Sequence, residues 1–290
     1  MGSATHRVAV VIPCYNDGKF LPETLESIRA QEPCELVVVD DGSTDPATVA
    51  LLDQLGQRGL HVVRQANSGV SVARMAGVGA TSAPYIFPLD SDDLVAPGAL
   101  TVMADALDAD PRAVAAWGDV EIFGIGRGRY RVGSPAALDA WLTTYVNDFP
   151  LASLLRRDAL LSVGGWQPGT AYEDWDLWMA FAERGSSGVR VPRVVEIHRE
   201  HAGRRWASVL VPADEASILR QRHPSLFERR RLNRSASGAP WRSRLTFPLI
   251  ERLGFISELD KQRLYQLVHH PDRLLQVRLR RARQRLRRER

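Results

Sequence analysis

The sequence predicts an α/β fold with a mixed, mostly parallel sheet flanked by helices and a helical extension toward the C-terminal end. Three observations predict it. From Val8 onward, short β-rich apolar runs alternate with segments of helical spacing, and the turns between them hold acids or glycine. After about Arg205 that alternation stops, and an arginine-rich helical pattern takes over.

Strands are expected at residues 8–13, 36–40, 61–64, 85–90 and 113–122, and helices at 22–30, 46–55, 70–80 and 97–108. Pro22, Pro46 and Pro97 stand near the first turns of three of these helices, where a missing N–H costs nothing. Residues 124–133 alternate glycine and arginine without periodicity and read as a loop. The run 141–184 reads as mostly helical with a break at Gly164-Gly165, and residues 206–290 as helical with a loop around 233–240. Two domains are expected, 1–205 and 206–290.

Composition narrows the class. At 290 residues, 44% hydrophobic and 25% charged, the chain is an ordinary globular protein and not a fibrous or disordered one. Its two cysteines, Cys14 and Cys34, are too few for a disulfide framework and lack metal-ligand spacing, which suggests a reducing compartment. No 18-residue apolar stretch exists, so a cytoplasmic protein is expected. The net charge of +4 is uneven: residues 278–290 carry eight Arg and one Glu, leaving the body slightly acidic. That argues against a whole-domain nucleic-acid binder, and the tail lacks interleaved aromatics for base stacking.

In open α/β sheets, ligands bind beyond the carboxyl ends of the strands. Two expected strands end there in acids, Asp40-Asp41-Gly42-Ser43 and Asp90-Ser91-Asp92-Asp93. Three carboxylates within four residues repel one another unless donors or a cation neutralise them, and Mg²⁺ or Mn²⁺ among oxygen ligands is one solution. The other is that Asp92 or Asp93 caps the helix near Pro97 while the remaining acids are solvated. A third cluster, Glu173-Asp174-Trp175-Asp176, opens a helix, and Thr170 with Glu173 has capping-box spacing. Asp174 lies about 100° around that helix from Glu173. The first strand is followed by no G-x-G-x-x-G, and no G-x-x-x-x-G-K-[ST] is present, which disfavours dinucleotide and P-loop sites.

In order, Val11-Ile12-Pro13-Cys14-Tyr15-Asn16, Val39-Asp40-Asp41-Gly42-Ser43, Asn67-Ser68-Gly69 through Arg74, the 85–93 segment, Gly164-Gly165-Trp166 and Glu173-Asp174-Trp175-Asp176 resemble the inverting family-two glycosyltransferases. The resemblance covers roughly residues 7–205 and implies a GT-A type fold. It implies that Pro13, Tyr15, Asp41, Asn67 and Arg74 surround the nucleoside of a nucleoside diphosphate sugar, with Asp41 receiving the base edge. Asp90 and Asp92 match the metal-and-ribose acids, Asp92 being the direct ligand of Mn²⁺ or Mg²⁺. Asp174 matches the general base and Glu173 the neighbour that orients the acceptor hydroxyl. His201 stands where a histidine often lies near the metal, with His198 competing for that role. Met75 departs from the usual Asn, and Arg204 and Arg205 from the usual Ser. The acceptor implied is a glycan, glycolipid or small-molecule hydroxyl compound.

Beyond Arg205 only charge and spacing speak. Residues 241–256 mix Trp241, Leu245, Phe247, Leu249, Ile250, Leu253, Phe255 and Ile256 with Arg242, Arg244 and Arg252, and Leu275, Leu279, Ala282 and Leu286 share a face of the tail. Both suit an anionic membrane surface; alternatively the first packs on the catalytic domain or on a second subunit of a homo-oligomer, and the tail is a solvated or frayed helix. Two further readings are open: a non-catalytic sugar-nucleotide-binding subunit, and a nucleotidyltransferase.

Overall fold

The structure, a computed structural model, describes residues 6–124, 127–201 and 212–271. The chain forms two compact units, one of residues 1–138 with 148–206, the other of 139–147 with 207–290. The tail stripe at 275–286 and Arg204 and Arg205 lie outside the described residues.

The first unit is a three-layer α/β structure. In chain order it runs β1 (Val8–Cys14), α1 (Leu21–Arg29), β2 (Glu35–Asp40), α2 (Pro46–Gln57), β3 (His61–Arg64), α3 (Val70–Gly79), β4 (Tyr85–Pro88), β5 (Leu94–Val95), α4 (Ala99–Ala109), β6 (Ala113–Gly124), β7 (Arg127–Val132), β8 (Leu154–Arg156), α5 (Arg157–Ser162), α6 (Glu173–Glu183) and β9 (Ser187–Glu200). The sheet order is β3-β2-β1-β4-β8-β6-β9-β5, with β7 paired to β6. Neighbours among β1 to β4 are parallel, as is β6 with β9, whereas β8, β7 and β5 pair antiparallel.

Every residue of β1 is buried, and its side chains alternate between two cores. Val8, Val10 and Ile12 meet Leu21, Leu25 and Ile28 of α1 and Leu100, Met103 and Leu107 of α4. Ala9 and Val11 meet Ala73 and Val78 of α3 and Leu177, Trp178 and Phe181 of α6. Gly77 makes the α3 contact possible: a Cβ there would sit 2.3 Å from Val11 Cγ1.

Three expectations need correction. Residues 124–133 hold a strand, β7, because Val120, Glu121 and Ile122 of β6 pair with Val132, Arg131 and Tyr130. The run 141–184 is not mostly helical, since β8 inserts between β4 and β6 and completes the sheet. A 14-residue strand, β9, occupies 187–200, where no element was expected.

The second unit contributes α7 (Ala213–Arg222), α8 (Pro224–Glu228), α9 (Arg230–Ala236), α10 (Trp241–Glu251) and α11 (Glu258–His269), together with a 3-10 turn at Leu142–Thr144. Its core is aromatic: Trp141, Tyr145, Phe247 and Tyr265 pack with Val146 and Ile250. Arg230 lies over the Tyr145 ring at 4.0 Å, donates from Nε to Thr144 Oγ1 at 2.7 Å and pairs with Glu251.

Candidate active site at the strand ends

The parallel strands stop in register, which gathers their polar ends. Asp41 N–H donates to Cys14 carbonyl at 2.9 Å, Gln65 N–H to Asp40 carbonyl at 3.0 Å and Leu89 N–H to Val11 carbonyl at 3.0 Å. Asn16, with φ +59°, takes a left-handed conformation that its short polar side chain tolerates. Its Oδ1 accepts from the N–H groups of Thr44 and Asp45, both at 2.8 Å, which ties the loop after β1 to the loop after β2.

At these strand ends the nucleoside candidates divide. Pro13 and Asp41 are buried, whereas Tyr15 and Asn67 are exposed. The Asp41 carboxylate accepts from Gln65 Nε2 at 2.7 Å, Ser68 N–H at 2.8 Å and Gly69 N–H at 2.9 Å. It therefore folds the loop that carries Asn67, with one of about four lone-pair sites left over.

Arg74 is only 2% exposed and reaches two acids from different elements. Nη2 donates to Asp90 Oδ1 at 2.9 Å and Nη1 to Glu173 Oε1 at 2.6 Å. Burial alone would weaken its charge, but Asp90 and Glu173 outweigh that and raise its pKa. The fork thus joins the acids after β4 to the first turn of α6, where Asp174 is half-buried. Glu173 does not enter a capping box: Tyr172 is the N-cap, and Thr170 Oγ1 accepts from Tyr172 N–H at 3.1 Å. Met75, next to Arg74, packs against Gly165, whose added Cβ would lie 2.3 Å from Met75 Sδ at a φ of +70°.

Asp90, Asp92 and Asp93 each offer one oxygen, all within 4.8 Å of one another. Neither Asp92 nor Asp93 caps α4, whose N-cap is Gly98 without a side-chain bond. The two histidines part company here. His201 Nε2 lies 2.8 Å from Asp92 Oδ2, and its ring packs on Phe20 at 4.4 Å. His198 Nδ1 instead faces Asp93 Oδ2 at 3.2 Å and Glu196 Oε1 at 3.3 Å.

Arg199, which sequence reasoning missed, binds the same loop from β9. Its N–H donates to Asp93 Oδ1 at 2.8 Å and its Nε to Asp92 carbonyl at 2.9 Å, while Nη2 reaches Glu23 Oε2 at 2.5 Å. These partners lie more than a hundred residues away in sequence, so no local pattern marks them. Among the described residues, Asp93, Glu196 and His198 form a further such cluster, and Asp90, Asp92 and Asp93 form an all-oxygen one with His201 beside it on Asp92. That donor set suits Mn²⁺ or Mg²⁺.

Burial favours neutral His198, but its bonds to Asp93 and Glu196 win and lift its pKa to about 10. The unfolded imidazole titrates near 6.5. The folded state therefore holds the extra proton between those values, and this contribution is full below 6.5 and lost as pH rises to about 10. Thermal stability is expected to fall over that window by at most about 1.4 kcal/mol per pH unit from this group. His198→Gln should flatten the profile there, and an unchanged slope would exclude the assignment.

Residues 9–163 match the family model described as Glycosyl transferase family 2. An uncharacterized glycosyltransferase, YibD of Escherichia coli K12, is 35% identical over 115 residues, 38% of this chain and 33% of that protein. Among solved structures, Staphylococcus aureus TarS in complex with UDP-GlcNAc superimposes with a TM-score of 0.59 at 18% identity, over 86% of this chain and 73% of that one. The mannosyltransferase PcManGT from Pyrobaculum calidifontis, in complex with GDP-Man and Mn²⁺, gives 0.52 at 21% identity, over 81% and 72%. The aligned stretches span about a third or less of the curated relatives' length. The sheet and helices of the first unit are thus those of a GT-A fold. Glu173, Asp174 and His201 lie beyond the family match.

Proposed function

Since this chain belongs to glycosyl transferase family 2, we propose that it transfers a sugar from a nucleoside diphosphate sugar to a hydroxyl acceptor by one inverting displacement. The observation that carries the reading is the Arg74 fork, which holds Asp90 and Glu173 in one assembly. A cation-binding acid and a neighbour of the proposed base are thereby fixed relative to each other.

Residues 1–205 form the catalytic domain of this reading and 206–290 a helical companion, acting in the cytoplasm on a glycan, glycolipid or small-molecule hydroxyl acceptor. Pro13, Tyr15, Asp41, Asn67 and Arg74 border the donor's nucleoside end. Asp92, Asp90 and His201 would hold Mn²⁺ or Mg²⁺, which would supply charge neutralisation at the departing diphosphate. The acceptor oxygen bonds to the anomeric carbon, the bond from that carbon to the phosphate oxygen breaks, and the hydroxyl proton goes to the Asp174 carboxylate. Glu173, fixed by Arg74, orients the acceptor.

The test is release of nucleoside diphosphate from a donor sugar in the presence of Mn²⁺ and a hydroxyl acceptor. Pyrophosphate release from a nucleoside triphosphate would instead indicate a nucleotidyltransferase. Donor binding without any release would indicate a binding subunit.

A further inference from the structure

The outer face of α10 is apolar where a solvent-facing helix should be polar. Trp241 is 73% exposed, Leu245 53% and Leu249 54%. At four-residue spacing these side chains lie about 40° apart around the helix and form one stripe. The opposite face, Ser243, Phe247 and Ile250, is buried in the aromatic core of the second unit. Burying one face therefore does not account for the other. Phe255, just beyond the helix, is 84% exposed and extends the apolar surface.

The charges around the stripe have one sign. Arg252, exposed at the C-cap, falls within the arc of the stripe, and Arg242 and Arg244 flank it. Arg242 is held in position by donating to the carbonyls of Val268 at 2.8 Å and His269 at 3.1 Å, at the end of α11. The helix's one acid, Glu251, is engaged by Arg230 and by Tyr145 Oη at 3.1 Å. Across its described residues the second unit carries eleven basic and seven acidic side chains, a net charge of +4.

We propose that this face of α10, with Phe255, rests on an anionic phospholipid bilayer. Trp, Leu and Phe enter the boundary between headgroups and acyl chains while the arginines remain at the level of the lipid phosphates. The charge decides against a second copy of the chain. A twofold contact would bring this arginine-rimmed face against itself, like charge on like charge. No described helix is long and apolar enough to cross a membrane, so the contact lies in the interfacial plane.

The test is flotation of the full-length protein with vesicles of phosphatidylcholine alone or mixed with phosphatidylglycerol. Wild type is expected to float with the anionic vesicles and to be released by high salt. The triple variant Leu245→Ser, Leu249→Ser, Phe255→Ser removes only exposed apolar groups and leaves every arginine in place. It should lose about tenfold in partitioning, at unchanged thermal stability and unchanged donor turnover in detergent-free buffer. Equal partitioning of wild type and variant overturns the proposal and leaves any binding to the basic tail alone. A dimer in solution that Leu245→Ser dissociates overturns it in favour of a second copy.

Discussion

Asp174→Asn is expected to lower kcat by a factor of about 10²–10⁴ while leaving the dissociation constant of the donor unchanged. The amide keeps the shape of the carboxylate but cannot take a proton at neutral pH. Asp174 sits in the first turn of α6 and is not one of the two acids of the Arg74 fork, so the substitution leaves both bonds of that fork in place. Glu173→Gln differs in kind: it weakens the contact at 2.6 Å to Arg74 and should disturb both donor binding and turnover. An Asp174→Asn protein of full activity would remove Asp174 from the mechanism, whereas loss of donor binding would move it into the nucleotide pocket.

Arg74→Ala should cost about 3–5 kcal/mol of folding stability, since it removes a buried guanidinium that two carboxylates share. Asp90 and Glu173 would then face each other without the guanidinium that lies between them. Metal-dependent donor binding should go with it, because Asp90 loses its anchor. Arg74→Lys restores the charge but not the planar fork that reaches two acids at once, so it should recover only part of the stability. Chemical denaturation of the three proteins checks this, and a cost below about 1 kcal/mol would mean that the fork is incidental.

Much of this site was readable before the structure, for a physical reason. Parallel strands buried on both faces write themselves as apolar runs, so Val8 to Ile12, Val37 to Val39 and Tyr85 to Phe87 locate the sheet, and the first polar residues after them locate its ligand edge. Asp41, Asp90 and Asp92 follow directly. What stayed hidden depends on long-range pairing. The alternation of β9 is interrupted by Pro192 and by register shifts opposite Trp117 and Asp119, so its period of two does not persist long enough to read. With β9 hidden, Arg199 could not be found, nor could His198 and His201 be told apart. Arg74 was expected beside the nucleoside. Its position between Asp90 and Glu173 depends on a contact across 99 residues.

Membership in the family and the GT-A fold rest on the chain's first two hundred residues, while the choice of donor rests on side chains that no pattern ranks. The most direct test of the central claim is the turnover assay run donor by donor. Sugars linked to UDP, GDP, dTDP and CDP are incubated with the protein and a hydroxyl acceptor, with and without Mn²⁺, and followed by proton NMR at the anomeric position. One donor is expected to yield nucleoside diphosphate only when the metal is present, and the new glycosidic bond to have the anomeric configuration opposite to the donor's. Metal-independent release, or a product that retains the donor's configuration, would contradict the claim.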